Sequence, residues 1–177
     1  MKLGLGRSKN TLSLFISFLI LLPSIAMVTQ HIHALDSNNL SQNKDLGKPF
    51  LVEQYQINTG KPETTNNNIF LNFTGKGIIN DTVNITAEGN ATEIFRNNDT
   101  SYIHGKAKYV TDNKDIASYV FYAISNYHPD GSFDRNGVAI FDDGATGGLS
   151  SLSNSAGIYK DHVEKNGTGT FLMWHWR

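Results

Sequence analysis

Cysteine is absent from all 177 residues. That excludes disulfides, thiolate metal sites, a cysteine nucleophile and a lipid-modified N-terminal cysteine, and it removes the usual staple of small exported domains. The fold has to rest on an apolar core, which a chain of this length can supply. Charge is also missing from one stretch, since no charged residue lies between Lys9 and Asp36. Beyond residue 34 the 12 remaining basic residues face 16 acidic ones, a net charge of −4. No basic stretch remains to neutralise a run of phosphates, so nucleic acid is not a partner. Helical periodicity longer than two turns is absent as well.

What is present begins with an export signal. Lys2, Arg7 and Lys9 give a positive head, residues 12–22 form a nearly unbroken apolar run, Pro23 ends it, and the small residues Ser24 and Ala26 follow. Cleavage fits after Ala26 or after Ala34. An uncleaved anchor over residues 11–28 is the alternative, approaching the roughly 20 apolar residues that a spanning helix needs. With basic residues on the cytoplasmic side, the remainder still faces outward. Both readings place residues 35–177 outside the membrane, secreted or at the cell surface, with membrane contact confined to the N-terminal segment.

Asn-x-Ser/Thr occurs seven times, at Asn39, Asn72, Asn80, Asn84, Asn90, Asn98 and Asn166, where 19 Asn and 28 Ser plus Thr in 177 residues would give about 3 by chance. Asn80, Asn90, Asn98 and Asn166 fall at expected turns, while Asn72 and Asn84 fall on the polar side of an alternating pattern. Glycans need solvent-facing Asn, so these positions are read as N-glycosylation sites.

Residues 35–68 form a polar leader with a peripheral strand at 50–57. From 69 onward short alternating runs are punctuated by turns: 69–79, 83–95, 102–111, 117–127, 132–141, 156–163 and 168–176. Pro129-Asp130-Gly131 and Lys165-Asn166-Gly167 are hairpin signals, and Asn80-Asp81, Asp112-Asn113 and Asp142-Asp143-Gly144 tolerate tight turns. A short helical turn is expected at 149–153. Runs this close together pair as an antiparallel meander, because parallel pairing needs a crossover of a dozen or more residues. The pattern predicts an all-β domain over 69–177, seven or eight strands closed into a barrel, with a β-sandwich as the alternative. The run 117–127 is apolar on both sides, with Tyr119, Phe121 and Ala123 on one face and Val120, Tyr122 and Ile124 on the other. The Phe50 segment, the Leu149 turn or a partner subunit is expected to cover its outer face, which keeps a homodimer possible.

Catalytic signatures are weak. Ser132, Asp134, Asn136, Gly137 and Asp143 match parts of a calcium loop, but Ser stands where the first Asp belongs and Asp where a bidentate Glu belongs, so a hairpin reading is preferred. His104, His128, His162 and His175 show no metal-ligand spacing. The serines lack a Gly-x-Ser-x-Gly setting. Residues 144–148 lack the Gly-Lys-Ser/Thr ending of a phosphate loop. Glu88, Glu93, Asp142 and Asp161 are available as a carboxylate pair without any specific signal. No metal or cofactor is implied.

The stretch 104–112 (His-Gly-Lys-Ala-Lys-Tyr-Val-Thr-Asp), then 117–121, then Pro129-Asp130-Gly131, and the end from Leu149 and Leu152-Ser153-Asn154 to Trp174-His175-Trp176 resemble a family of small exported proteins associated with ammonia-oxidising archaea. The family is similar in pattern to closed β-barrels of the allene-oxide-cyclase or calycin kind, and the resemblance covers roughly residues 50–177. It implies an exported barrel and no assigned activity. The Cys-free, sequon-rich composition agrees with an archaeal surface protein.

The expected role is non-enzymatic binding of a small apolar ligand or of a surface partner. An eight-stranded barrel can hold one small ligand, with Tyr119, Phe121, Phe171, Met173 and His175 as its expected contacts. A cyclase- or isomerase-like enzyme working in the cavity and an inert structural surface protein are the alternatives.

Overall fold

A computed structural model describes residues 46–58 and 68–176. The export or anchor segment, most of the leader and Asn39 lie outside the described residues. Eight strands are described: β1 (Leu51–Asn58), β2 (Asn68–Ile79), β3 (Val83–Phe95), β4 (Thr100–Thr111), β5 (Ile116–Tyr127), β6 (Phe133–Phe141), β7 (Ala156–Val163) and β8 (Thr168–His175). Each pairs antiparallel with its neighbour in sequence, and β1 pairs with β8 to close the barrel. The strands therefore have no free sheet edge, and the sandwich alternative falls away. Among the described residues no helix is long and apolar enough to cross a membrane.

The turns work as their residues suggest. Asn80 and Asp81 take positive φ (49° and 59°), as do Lys114 (69°), Gly131 (90°) and Gly167 (85°). The first strand is not peripheral. β1 is hydrogen-bonded on both sides, so the barrel begins at Leu51 rather than at residue 69. Its alternation explains this, since Leu51 and Tyr55 are buried between exposed Val52, Gln54 and Gln56.

Inside, large side chains lie beside glycines across the strands. Tyr55 is registered against Gly75 on one side and Gly169 on the other, Phe73 against Gly89, Phe121 against Gly105, and Tyr159 against Gly137. A Cβ at Gly105 would stand 2.3 Å from the Asn90 carbonyl oxygen and 2.6 Å from Phe121 Cζ. Aromatic rings occupy the volume that the glycines leave empty, which is how a barrel interior reaches core density.

Both ends carry further packing. The helical turn is 3₁₀ and spans Gly147–Leu152, where β5 begins and β6 ends, and it buries Leu149 and Leu152 completely. Gly147 has φ 49°, and a Cβ there would collide with the Asp115 carboxylate, which accepts the Gly148 N–H at 2.9 Å. At the other end the rings of Phe95, Tyr127 and Phe133 form a tier, with centroids 5.5 and 5.0 Å apart. The segment before β1 covers part of β8, where Trp174 Nε1 donates to the Gly47 carbonyl at 2.8 Å. Neither this segment nor the 3₁₀ turn covers the outer face of β5, where Tyr122 and Ile124 remain exposed.

Replacing Gly105 with Ala should destabilise the barrel by about 1–3 kcal/mol, the usual cost of overpacking a filled core. Urea unfolding reads this directly, and an unchanged midpoint would mean that the Gly105–Phe121 contact is not tight.

Candidate functional site

Strand alternation that buries an apolar side chain buries any charged residue of the same parity. Four charged residues fall on inward positions: Glu53 on β1, Glu93 on β3, Arg135 on β6 and Asp161 on β7, all at most 5% exposed. One register row carries Ser101, Ser125, Arg135, Asp161, Phe171 and Glu53 across β4, β5, β6, β7, β8 and β1. The pairing therefore puts these groups on inward positions of adjacent strands, along a row that climbs as the barrel closes.

Arg135 stands between two carboxylates. Nη2 approaches Glu93 Oε2 and Nη1 approaches Asp161 Oδ2, both at 3.5 Å. Nη1 also donates to the Tyr55 hydroxyl at 3.4 Å, Nε donates to Ser125 Oγ at 3.2 Å, and the guanidinium carbon lies 4.5 Å from the Phe133 ring centroid. These contacts are longer than a bidentate clamp, so the guanidinium is shared rather than locked to one partner. Burial opposes its charge, but Tyr55, Asp161 and Glu93 around it outweigh that and hold its pKa above the ordinary value.

The carboxylates are served unequally. Glu93 Oε1 accepts the hydroxyls of Ser101, Ser125 (3.1 Å) and Tyr127 (2.7 Å). Asp161 Oδ2 accepts the Tyr55 hydroxyl at 2.6 Å, while its Oδ1 has no partner. Burial raises the Asp161 pKa, with Arg135 and the Tyr55 hydrogen bond opposing. Glu53 Oε1 is also unpartnered. Burial pushes the Glu53 carboxyl up to about 8; the Tyr109 hydroxyl opposes this and the charge of Asp161 adds to it. Tyr109 in turn donates to the Tyr119 hydroxyl at 3.0 Å.

A cavity of about 30 Å³ adjoins this cluster. Glu53, Tyr55, Arg135, Asp161, Tyr119 and Tyr159 give it polar groups, and the rest of its wall is apolar, including Phe73, Phe121 and Phe171. Its volume suits a few water molecules, whereas a cavity that admits benzene is about 150 Å³. Of the five side chains expected to meet a ligand, Tyr119, Phe121 and Phe171 line the cavity. Met173 is fully buried but packs against Gly157 instead, and His175 lies exposed at the end of β8, stacked on Phe50 with centroids 4.1 Å apart. The sequence reading did not single out Glu53 or Arg135. Glu93 and Asp161, two of the four available carboxylates, prove to be inside.

The outside of the barrel carries a second feature. One register row crosses seven strands without a Lys, Arg, Asp or Glu: Phe70, Thr92, His104, Tyr122, Val138, Ile158 and Trp174. Beside it Val120 pairs with Ile140 and Tyr102 with Ile124. Phe70, Tyr122, Ile124 and Ile140 are 51%, 42%, 36% and 49% exposed. The six described sequon residues are all exposed. Asn72, Asn80, Asn84 and Asn90 belong to β2, β3 and the turn joining them, and Asn98 and Asn166 to turns at the opposite rim, so none lies on β5, β6 or β7.

The residues that resembled a calcium loop run along β6 and its flanks. There Asp134 accepts from His128 Nε2 at 2.9 Å and His162 Nδ1 at 2.7 Å. Partial burial of Asp134 is outweighed by these two contacts, which lower its pKa, and the Asp134 hydrogen bond raises that of His162. Comparison with family models, curated proteins and solved structures returns no significant match.

Glu53 generates a pH prediction. A carboxyl whose folded pKa lies near 8 instead of 4.5 keeps its proton in the barrel and loses it on unfolding, so stability falls as pH rises from 4.5 to 8. Glu53→Gln removes that dependence. The variant should gain on the wild type by up to about 1.4 kcal/mol per pH unit across this window. Urea melts of both proteins at several pH values test this, and parallel stability curves would mean that Glu53 is ionised in the folded barrel.

Proposed function

We propose that the protein is an exported, N-glycosylated binding domain that acts through the outer wall of β5–β7, pairing there with a second copy of itself. The observation that carries this reading is the partly aromatic wall around Tyr122 and Ile140, whose central row carries no formal charge and which nothing covers among the described residues. Large exposed apolar patches on soluble domains mark contact surfaces. A two-fold contact needs only one such patch, used twice. The absence of a formal charge on the central row removes the feature that would select an oppositely charged partner.

Two further observations support the reading. The interior cavity has the volume of a few waters, so an apolar ligand of ordinary size finds no room in this packing. The sequons crowd β2, β3 and the rim, which would leave the β5–β7 wall clear of glycans. The positively charged and then apolar N-terminal sequence, with the sequon-rich, cysteine-free composition, supports a position outside the membrane.

Light scattering on the purified protein at tens of micromolar should give the mass of two chains. Ile140→Lys and Tyr122→Lys should each give one folded chain with a cooperative melt, because both side chains already face solvent in the monomer. A wild type of single-chain mass over this range, or a dimer that survives both substitutions, would overturn the proposal.

A further inference from the structure

Two carboxylate oxygens in the barrel, Glu53 Oε1 and Asp161 Oδ1, accept no hydrogen bond from the protein. Both residues line the same cavity and both are at most 5% exposed. A buried acceptor left unsatisfied is costly, and more so when charged, so each oxygen calls for a donor. The formal charges point the same way. Arg135 carries the single positive charge, and it is shared by Glu93 and Asp161, which leaves the cluster negative even with Glu53 protonated.

The rest of the wall narrows the class of ligand. Tyr55, Phe73, Tyr119, Phe121, Tyr159 and Phe171 line the cavity, six aromatic side chains around a space of about 30 Å³. Their rings are in successive contact, with centroids 5.7 Å apart for Tyr55–Phe73, 6.0 Å for Phe73–Phe121, 6.5 Å for Phe121–Tyr159 and 4.6 Å for Tyr159–Phe171. Aromatic enclosures attract organic cations, most strongly where water is excluded. A divalent metal fits poorly. Calcium takes six to eight oxygens, only two are unpartnered here, and no metal-holding group of His, Asp or Glu occurs among the described residues. A neutral apolar molecule would leave both oxygens dry.

From these observations we infer that the cavity is a site for a small alkylammonium cation, of about the size of methylammonium, whose N–H groups are held by Glu53 Oε1 and Asp161 Oδ1 and whose carbon lies among the aromatic side chains. The inference does not depend on pairing through the outer wall, since the two sites occupy opposite faces of the sheet.

The test is thermal unfolding of the full protein in methylammonium chloride against sodium chloride at equal ionic strength. Methylammonium should raise the melting temperature saturably, as a ligand of the folded state does, while sodium and the bulkier tetramethylammonium should not. Glu53→Leu removes the carboxyl oxygens and should lose the saturable rise measured against its own salt-matched melt. Asp161→Asn provides a second variant with the same expected loss. Equal melts in methylammonium and sodium for the wild type would overturn the inference and leave water as the occupant. A saturable rise that persists in Glu53→Leu would overturn it as well, by placing the effect elsewhere on the protein.

Discussion

The interior depends on one charge placement: Arg135, on the inward side of β6, shared between Glu93 and Asp161 at 3.5 Å each. A guanidinium in a nearly dry barrel needs counter-charges, and two buried carboxylates need a cation. Neither is tolerable without the other. The hydroxyls of Tyr55, Ser101, Ser125 and Tyr127 are committed to the same cluster, which ties β1, β3, β4, β5, β6 and β7 together. Glu53 stands aside from this exchange. It makes no ion pair, and burial pushes its carboxyl up to about 8, so the cluster ends at an unpaired oxygen bordering a cavity.

The remaining volume is set by the pairing of rings with glycines. Because Tyr55, Phe73, Phe121 and Tyr159 each lie against a glycine across the strand, the rings reach deep into the barrel and leave only about 30 Å³ beside the charges. The site is therefore small and polar on one side, unlike the open apolar cup of a barrel that carries lipid-sized ligands. The same alternation places Tyr122, Ile124, Val138 and Ile140 outside, so the chain has an apolar wall on each side of β5.

Most of this architecture was legible in the residues. Turn chemistry at 80–81, 129–131 and 165–167 fixed the hairpins, and close spacing allowed only antiparallel neighbours. Strand β1 looked peripheral because the polar segment 60–68 separates it from β2, and hydrogen bonding to β8 cannot be read from spacing. The charged cluster was within reach. Glu53 shares the parity of Leu51 and Tyr55, Glu93 that of Ile85 and Ala91, Arg135 that of Phe133 and Ala139, and Asp161 that of Tyr159 and Val163. Treating charged residues as solvent-facing by default hid what strict alternation shows. The separate placement of Met173 and His175 was not legible in this way. Both share the inward parity of Phe171, but His175 lies past the last full tier, where the strand leaves the barrel and the ring finds Phe50.

Arg135 and its two carboxylates are balanced only as a set. Arg135→Met alone and the triple change Arg135→Met, Glu93→Gln, Asp161→Asn, compared by urea unfolding at one neutral pH, test it most directly. The single variant, which strands two buried carboxylates, should lose about 3–5 kcal/mol, and the triple variant should recover most of it. A single variant as stable as the wild type, or a triple variant no better than the single, would contradict it.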